Sequence, residues 1–352
     1  MSILLQETDS IRQGKSIRDD ISPVSIHYFQ NDFAKIQFNT GEIHSASCLN
    51  CFDTPCMTFL EYEVSSLKLK GHPADTNLNV CATGAITLND ITKEPKINPE
   101  ECITCGLCAS RCPVGAISLS DTTANINSTP NAVFVPNPTL SPSKNRQDLD
   151  KFYQLDSTGI LLNESDLVIE NFITKLKNYD DKLPNLLVRN LLIGTGLNTA
   201  MKRKGNNSIR MDLIISSDYF QSFAEVEFGV EEVLEAPRDV LDGLAVLISR
   251  YDWDPKNIRP LIISDVLPNW RSEYWHIIED INNVLNIKIG TVTIFLLMLL
   301  IWNRKPIEPL ILNHAFYFDK NNYSYKDEVI ESILERKLNI KNSSLSCIDI
   351  SK

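Results

Sequence analysis

Eight of the nine cysteines lie between residues 48 and 112, at spacings typical of metal ligands. The second group reads C-x2-C-x2-C-x3-C-P and ends at Pro113. Closely spaced thiolates of this kind can surround a cubane iron–sulfur cluster, because they are soft, anionic ligands. Residues 1–9 show no secretory signal, so we expect a cytoplasmic protein and favour metal over a disulfide framework. The candidate ligands are Cys48, Cys51, Cys56, Cys81, Cys102, Cys105, Cys108 and Cys112.

The first group of cysteines is more widely spaced than the second. Four residues separate Cys51 from Cys56, and the fourth member is displaced to Cys81. The sequence at Cys81, C-A-T-G-A-I, repeats C-P-V-G-A-I at Cys112, which indicates a duplicated motif. A pair of zinc sites is the alternative, since C-x2-C pairs also bind zinc. The C-x2-C-x2-C triplet and the Cys-Pro ending favour iron.

These residues make the stretch from about 45 to 120 resemble the dicluster bacterial-type ferredoxin family. The second group matches the family motif completely, whereas the first departs from it in its wider gap, in the insertion at 57–80 and in Ala82. The resemblance implies an α+β ferredoxin-like domain with two [4Fe–4S] clusters, used for electron transfer, redox sensing or structural support. It also implies crossed ligation. Cys48, Cys51, Cys56 and Cys112 would bind one cluster, and Cys102, Cys105, Cys108 and Cys81 the other.

Three carboxylates in the C-terminal half are candidates for a second kind of metal site. Glu225 and Glu227 lie two residues apart in a predicted strand and so project from one face, on which Asp212 of the preceding strand can converge. Hard oxygen ligands suit Mg²⁺, which can generate hydroxide and hold a phosphate during phosphodiester hydrolysis. The alternative is that both glutamates simply form the solvated face of a half-exposed strand.

The segment from about 210 to 265 resembles the PD-(D/E)xK nucleases, in particular the BamHI- and BglII-like restriction endonucleases. The resemblance rests on Asp212, the E-V-E strand and the R-D-V-L start of a helix at 238–241. It implies an α/β restriction-endonuclease-like domain that cleaves DNA with Mg²⁺, plausible in restriction or phage defence, and self-association as a homodimer. Asp212 and Glu225 would be metal ligands. Glu227 would replace the usual Lys, as a further ligand or as the general base.

A basic segment precedes these carboxylates. The net charge of -11 argues against binding nucleic acid through bulk electrostatics, but a local basic patch can still contact a phosphate backbone. A solvated loop is the alternative. Nearby, Gly194-Thr-Gly196 lacks the Lys-Ser/Thr ending of a phosphate-binding loop, so we interpret it as a turn. The candidate DNA-binding residues are Lys202, Arg203, Lys204 and Arg210.

The elements that must position these residues fall into two predicted domains. Residues 1–121 form the cluster domain, the Pro-, Asn- and Ser-rich residues 122–148 a linker, and residues 149–352 the nuclease-like domain. Two short strands are predicted before the cysteines, at 24–29 and 34–38. In the second domain, periodicity predicts helices at 164–179, 185–193, 238–251 and 273–285, and strands at 211–216, 223–228 and 260–265.

A rival function is an electron-transfer or docking subunit of a defence or redox complex, in which the C-terminal domain has no chemistry. A third is a nuclease fold that binds nucleic acid without cleaving it. If Asp212, Glu225 and Glu227 can be replaced by Ala without loss, the rival holds. The longest apolar run, residues 289–302, is shorter than the roughly 20 residues of a membrane span, which predicts a buried strand or core helix and no membrane contact.

Overall fold

The chain divides into two compact units in the computed structural model. The first consists of residues 1–60 and 78–175, and the second of residues 61–77 and 176–352. The candidate cluster cysteines therefore belong to the first unit and the three candidate carboxylates to the second. The described residues are 28–29, 32–33, 54–65, 74–88, 95–112, 117–120, 123–126, 172, 174–175, 179, 183–203, 210–269, 271–302, 305–318 and 325–334.

The described strands of the first unit are paired in short antiparallel hairpins. Tyr28–Phe29 (β1) pairs antiparallel with Asp32–Phe33 (β2); β1 lies within the first predicted strand, whereas β2 precedes the second. The rest of the predicted strands at 24–29 and 34–38 lies outside the described residues. The other elements up to residue 126 are helix α1 (Glu61–Ser65, in the second unit), β3 (Ile86–Leu88) paired with β4 (Pro95–Ile97), α2 (Leu107–Arg111), and β5 (Ile117–Ser120) paired with β6 (Thr123–Ile126).

The described second unit is built around a mixed five-stranded sheet in the order β11-β10-β9-β8-β7. Strands β7, β8 and β9 form an antiparallel meander, whereas β9, β10 and β11 run parallel and are connected through helices, as parallel pairs require. The elements are α3 (Leu183–Gly194), β7 (Asn198–Met201), β8 (Leu213–Ser216), β9 (Gln221–Glu227), α4 (Val230–Tyr251), β10 (Leu261–Ser264), α5 (Glu273–Leu285), β11 (Gly290–Thr293), α6 (Ile294–Trp302), α7 (Glu308–Leu312) and α8 (Tyr325–Leu334).

Helix α4 packs closely on the strands that carry the carboxylates. Its buried face includes Val240, Leu244 and Leu247, in one hydrophobic cluster with Phe223 of β9. Gly243 allows the close approach, since a Cβ at this position would lie 2.7 Å from the Phe223 ring. The helix is therefore held against β9 directly beside the predicted site.

Most elements predicted for the second domain are present, whereas the predicted helix at 164–179 lies mostly outside the described residues. Helix α4 begins at Val230 rather than at 238, because Val233 and Ala236 are buried in the core on the N-terminal side of Pro237. A buried strand or a core helix was predicted for the apolar run 289–302. The run contains both, since strand β11 is followed directly by helix α6. Strand β7 was not predicted. Among the described residues, no helix is both long and apolar enough to cross a membrane.

Candidate cluster site and carboxylate site

Four cysteines of the first unit line a single pocket. They are the set that crossed ligation assigns to one cluster: Cys81 from the loop before β3, Cys102 and Cys105 from the loop that leads into α2, and Cys108 from the first turn of α2. The backbone turns back on itself there, with left-handed φ values at Thr104 and Gly106. Both turns fall within the C-x2-C-x2-C run. The sequence folds this way because Gly106 tolerates the conformation from which α2 begins.

The electrostatics of this pocket favour bound metal ions, which would stabilise the cysteines as thiolates. Burial raises the pKa of the Cys105 thiol above its usual range, and nearby Cys81 and Cys102 raise it further. The pKa of the Cys108 thiol is also raised, first by burial and then by the neighbouring thiols, among which Cys105 has the largest effect. Crowded thiols therefore resist becoming thiolates unless iron compensates the charge. Four thiols that line one pocket have the ligand chemistry of a [4Fe–4S] cluster, which would be held by these sulfur atoms.

Two cations stabilise the loops that carry the cysteines. Arg111 is buried, donates from Nε to the Pro55 carbonyl at 2.8 Å, and lies 4.5 Å from the centre of the Phe59 ring. Lys175 donates from Nζ to the carbonyls of Cys102 at 2.6 Å and Pro99 at 2.9 Å. Each cation therefore fixes a carbonyl at or beside a cysteine. Cys48 and Cys51 lie outside the described residues, so the other predicted ligand set is described only at Cys56 and Cys112.

Two of the three carboxylates of the second unit meet at one point of the sheet. The antiparallel register pairs Leu213 with Ala224, which places Asp212 beside Glu225. Asp212 accepts a hydrogen bond from the Val226 amide through Oδ2 at 3.1 Å, and its Oδ1 lies 3.1 Å from Lys202 Nζ. Glu225 is 4% exposed and its Oε1 has no hydrogen-bond partner. A buried carboxylate oxygen without a partner is costly, and the cost can be offset by a proton or a metal ion.

The pKa shifts follow from this crowding. Burial first, and then Asp212, raise the pKa of Glu225 from 4.5 to about 9, while Lys202 opposes the shift. The pKa of half-buried Glu227 rises to about 7, again mainly through burial and Asp212. Asp239 of α4 raises both values. Asp212 and Asp239 thus lie close enough to both glutamates to disfavour their charged forms. No trio of His, Cys, Asp or Glu side chains is arranged as ligands of one metal ion within the described part of the chain.

The predicted DNA-binding residues separate into different environments. Lys202 lies against the carboxylates, Arg210 is exposed and forms an ion pair with Asp242, and Arg203 is exposed. Lys204 lies outside the described residues. Lys202 is therefore better interpreted as part of the carboxylate site, which sequence reasoning missed because strand β7 was not recognised. If β7 had been predicted, its pairing with β8 would have placed Lys202 opposite Asp212. The Asp212 carbonyl accepts a hydrogen bond from the Lys202 amide at 3.2 Å.

Comparison with known proteins supports the iron–sulfur prediction. The family model of the 4Fe–4S binding domain matches residues 95–118, which confirms an iron–sulfur binding domain at the second cysteine group. No curated protein matches the chain significantly. Among solved structures, the restriction endonuclease FokI is weakly similar, with 11% identity and a TM-score of 0.27. The similarity covers 53% of this chain and 34% of FokI, so the chain spans about a third of that protein.

The four-thiol pocket predicts how iron content responds to single substitutions. Cys81→Ser and Cys102→Ser should each lower bound iron by the same amount, about four iron atoms per chain, because both remove a ligand of one [4Fe–4S] cluster. Iron assay and visible absorbance of anaerobically purified protein measure the loss. Cys347→Ser, outside the motif, is the control. Retention of full iron by Cys81→Ser would exclude it as a ligand.

The raised pKa of Glu225 predicts a pH-dependent stability in metal-free protein. The folded state holds this proton more tightly than the unfolded chain, so the stabilisation is complete below pH 4.5 and is lost as the pH rises towards about 9. Glu225→Gln should remove this dependence and stabilise the protein at pH 9, by on the order of a few kcal/mol. Urea unfolding at pH 6 and pH 9 measures it. An equal pH dependence in both proteins would contradict the burial of an ionisable carboxyl group.

Proposed function

We propose that this iron–sulfur protein is a Mg²⁺-dependent DNA endonuclease whose carboxylate site is formed by Asp212, Glu225 and Glu227. The observation that carries the proposal is the burial of Glu225 beside Asp212, with an oxygen that lacks any hydrogen-bond partner. Two adjacent carboxylates in a sheet are unfavourable when both are ionised. A divalent cation would neutralise their repulsion and would coordinate the Glu225 oxygen that has no hydrogen-bond partner. Perturbed pKa values of this kind cluster at functional sites.

The residues divide naturally into roles for phosphodiester hydrolysis. Asp212 and Glu225 would hold the metal, which would activate water and neutralise charge on the phosphate. Glu227, half-buried and with a pKa of about 7, is suited to accept the proton of the attacking water near neutral pH. Lys202 would balance the remaining negative charge at Asp212.

The choice of DNA as substrate is supported by exposed cations near the carboxylates and by the sequence resemblance of residues 210–265 to restriction endonucleases. Arg203 and Arg210 are exposed near the end of β7 and the start of β8, where they can contact a phosphate backbone. We also propose two [4Fe–4S] clusters with crossed ligation, supported by the duplicated cysteine motif and the four-thiol pocket. We further propose that the protein acts in restriction or phage defence and that it forms a homodimer.

Cleavage assays provide the direct test. Cluster-loaded protein, kept anaerobic, should cleave plasmid or phage DNA with Mg²⁺ or Mn²⁺ and be inactive with chelator. Asp212→Ala and Glu225→Gln should each lower the rate at least about a hundredfold, since each removes a metal ligand. Asp254→Ala, at an exposed turn of the same unit, should cleave normally. Cleavage that survives either site substitution would contradict the proposal.

Electron transfer is the second candidate function, and the four-thiol pocket is the observation that favours it. In that case the clusters would pass electrons to a partner protein and the second unit would serve for docking. Intact clusters that reduce and reoxidise reversibly in a protein that cleaves no DNA would favour this alternative. Full cleavage by redox-inactive, cluster-loaded protein would disfavour it.

A further inference from the structure

The middle of the insertion between Cys56 and Cys81 is built into the second unit, whereas its two ends belong to the first unit. Glu61–Asn77 belongs to the second unit. Its helix α1 packs against β7 and buries Val64 and Glu63. Farther along, the Asp75 amide donates to the Met201 carbonyl at 2.8 Å, and Ala74 forms an antiparallel bridge with Lys202. The insertion therefore covers the β7 edge of the sheet, where unpaired backbone groups would otherwise be left.

A buried arginine fastens this segment in place. Arg189 of α3 is completely buried, donates from Nη2 to the Asn77 carbonyl at 2.8 Å, and has Nη1 3.6 Å from Asp75 Oδ1. Burial lowers the pKa of this guanidinium to about 10, and Asp75 opposes the shift. Loss of the segment would leave a buried charge without its carboxylate, which is strongly destabilising. The attachment of residues 75–77 is thus coupled to the packing of α3.

The residue bridged by the insertion is also the cation of the carboxylate site. Lys202 pairs through its backbone with Ala74, while its ammonium lies 3.1 Å from Asp212 and 3.2 Å from the Arg210 carbonyl. Detachment of the insertion would free this end of β7. The ammonium position at Asp212 would then no longer be fixed.

The base of the insertion is closed immediately beside two cluster cysteines. Within the first unit, the Phe59 amide donates to the Leu78 carbonyl at 2.7 Å, and the Val80 amide donates to the Met57 carbonyl at 2.8 Å. This small ladder lies between Cys56 and Cys81 in sequence. Ligation of these two thiolates would fix both ends of the ladder, because ligand binding by a loop supplies folding free energy.

We propose that cluster binding at Cys56 and Cys81 controls the carboxylate site, because the insertion between them holds Lys202 against Asp212. The inference concerns regulation of the site and rests on the proposed function only for its effect on DNA cleavage. Cluster loss releases the ladder, the Asp75–Met201 hydrogen bond and the Arg189 contacts in turn. A protein without clusters would thus keep its sheet but lose the ordered edge at Lys202.

Hydrogen–deuterium exchange of the full chain tests the coupling without reference to DNA. Removal of the clusters by anaerobic chelation should speed exchange of the Asp75 amide and of β7 roughly tenfold or more, as expected for the loss of one or two hydrogen bonds. Exchange in β10 and β11 should stay unchanged. No change in β7, or equal acceleration of all three strands, would overturn the inference.

Two substitutions separate the insertion from general damage in cluster-loaded protein. Asp75→Ala and Arg189→Met should retain the cluster absorbance and yet show the same faster exchange in β7. Asp254→Ala, which removes a comparable turn-forming aspartate elsewhere in the unit, should show wild-type exchange. Slow β7 exchange in both test variants would overturn the inference.

Cleavage assays on the same samples keep the two proposals distinguishable. If the loaded protein cleaves DNA, Asp75→Ala should lower the rate roughly tenfold with clusters intact. If no preparation cleaves DNA, the proposed function fails, whereas the exchange data still decide whether cluster binding orders Lys202. Wild-type cleavage by an Asp75→Ala protein with disordered β7 would overturn the regulatory inference and leave the nuclease in place.

Discussion

Burial of the Glu225 carboxyl group beside Asp212 is the constraint on which the second unit depends. The cost of removing this group from water is offset by a proton, by the Lys202 ammonium or by a metal ion, and each choice has a different chemical consequence. The surrounding elements serve this arrangement. Gly243 lets α4 pack onto β9, the β8–β9 register brings the two carboxylates together, and Lys202, which follows β7, supplies the cation.

Residues 61–77 belong to the second unit, although they lie between the candidate cluster ligands Cys56 and Cys81 in sequence. This segment leaves the first unit after Cys56, adds a strand-like edge to β7, contacts buried Arg189, and returns before Cys81. The displacement of Cys81 from the first cysteine group therefore accommodates a segment of the second unit. An ordinary surface loop would tolerate such length at little cost, but Asp75 and Asn77 in this segment are hydrogen-bonded within the second unit.

The patterns that indicated the candidate ligands are short and local, whereas the positions of these residues in the fold depend on tertiary contacts. The cysteine spacing was informative because cluster ligation demands fixed short intervals, and the E-V-E alternation was informative because strands have a period of two. Strand β7 was not predicted, because its sequence N-T-A-M does not alternate between apolar and polar residues. Its strand conformation depends on pairing with β8. The roles of Lys202, Asp239 and Arg189 depend on tertiary contacts that no local pattern encodes.

Metal binding at the carboxylates is the central claim, and Mn²⁺ titration of cluster-loaded protein tests it most directly. Calorimetry in two buffers of different ionisation enthalpy would give both the affinity and the protons displaced. The account predicts binding at pH 7.5 with release of about one proton per ion, because the metal replaces the proton on Glu225. Both the binding and the proton release should disappear in Glu225→Gln. No Mn²⁺ binding, or identical binding by the variant, would contradict the account.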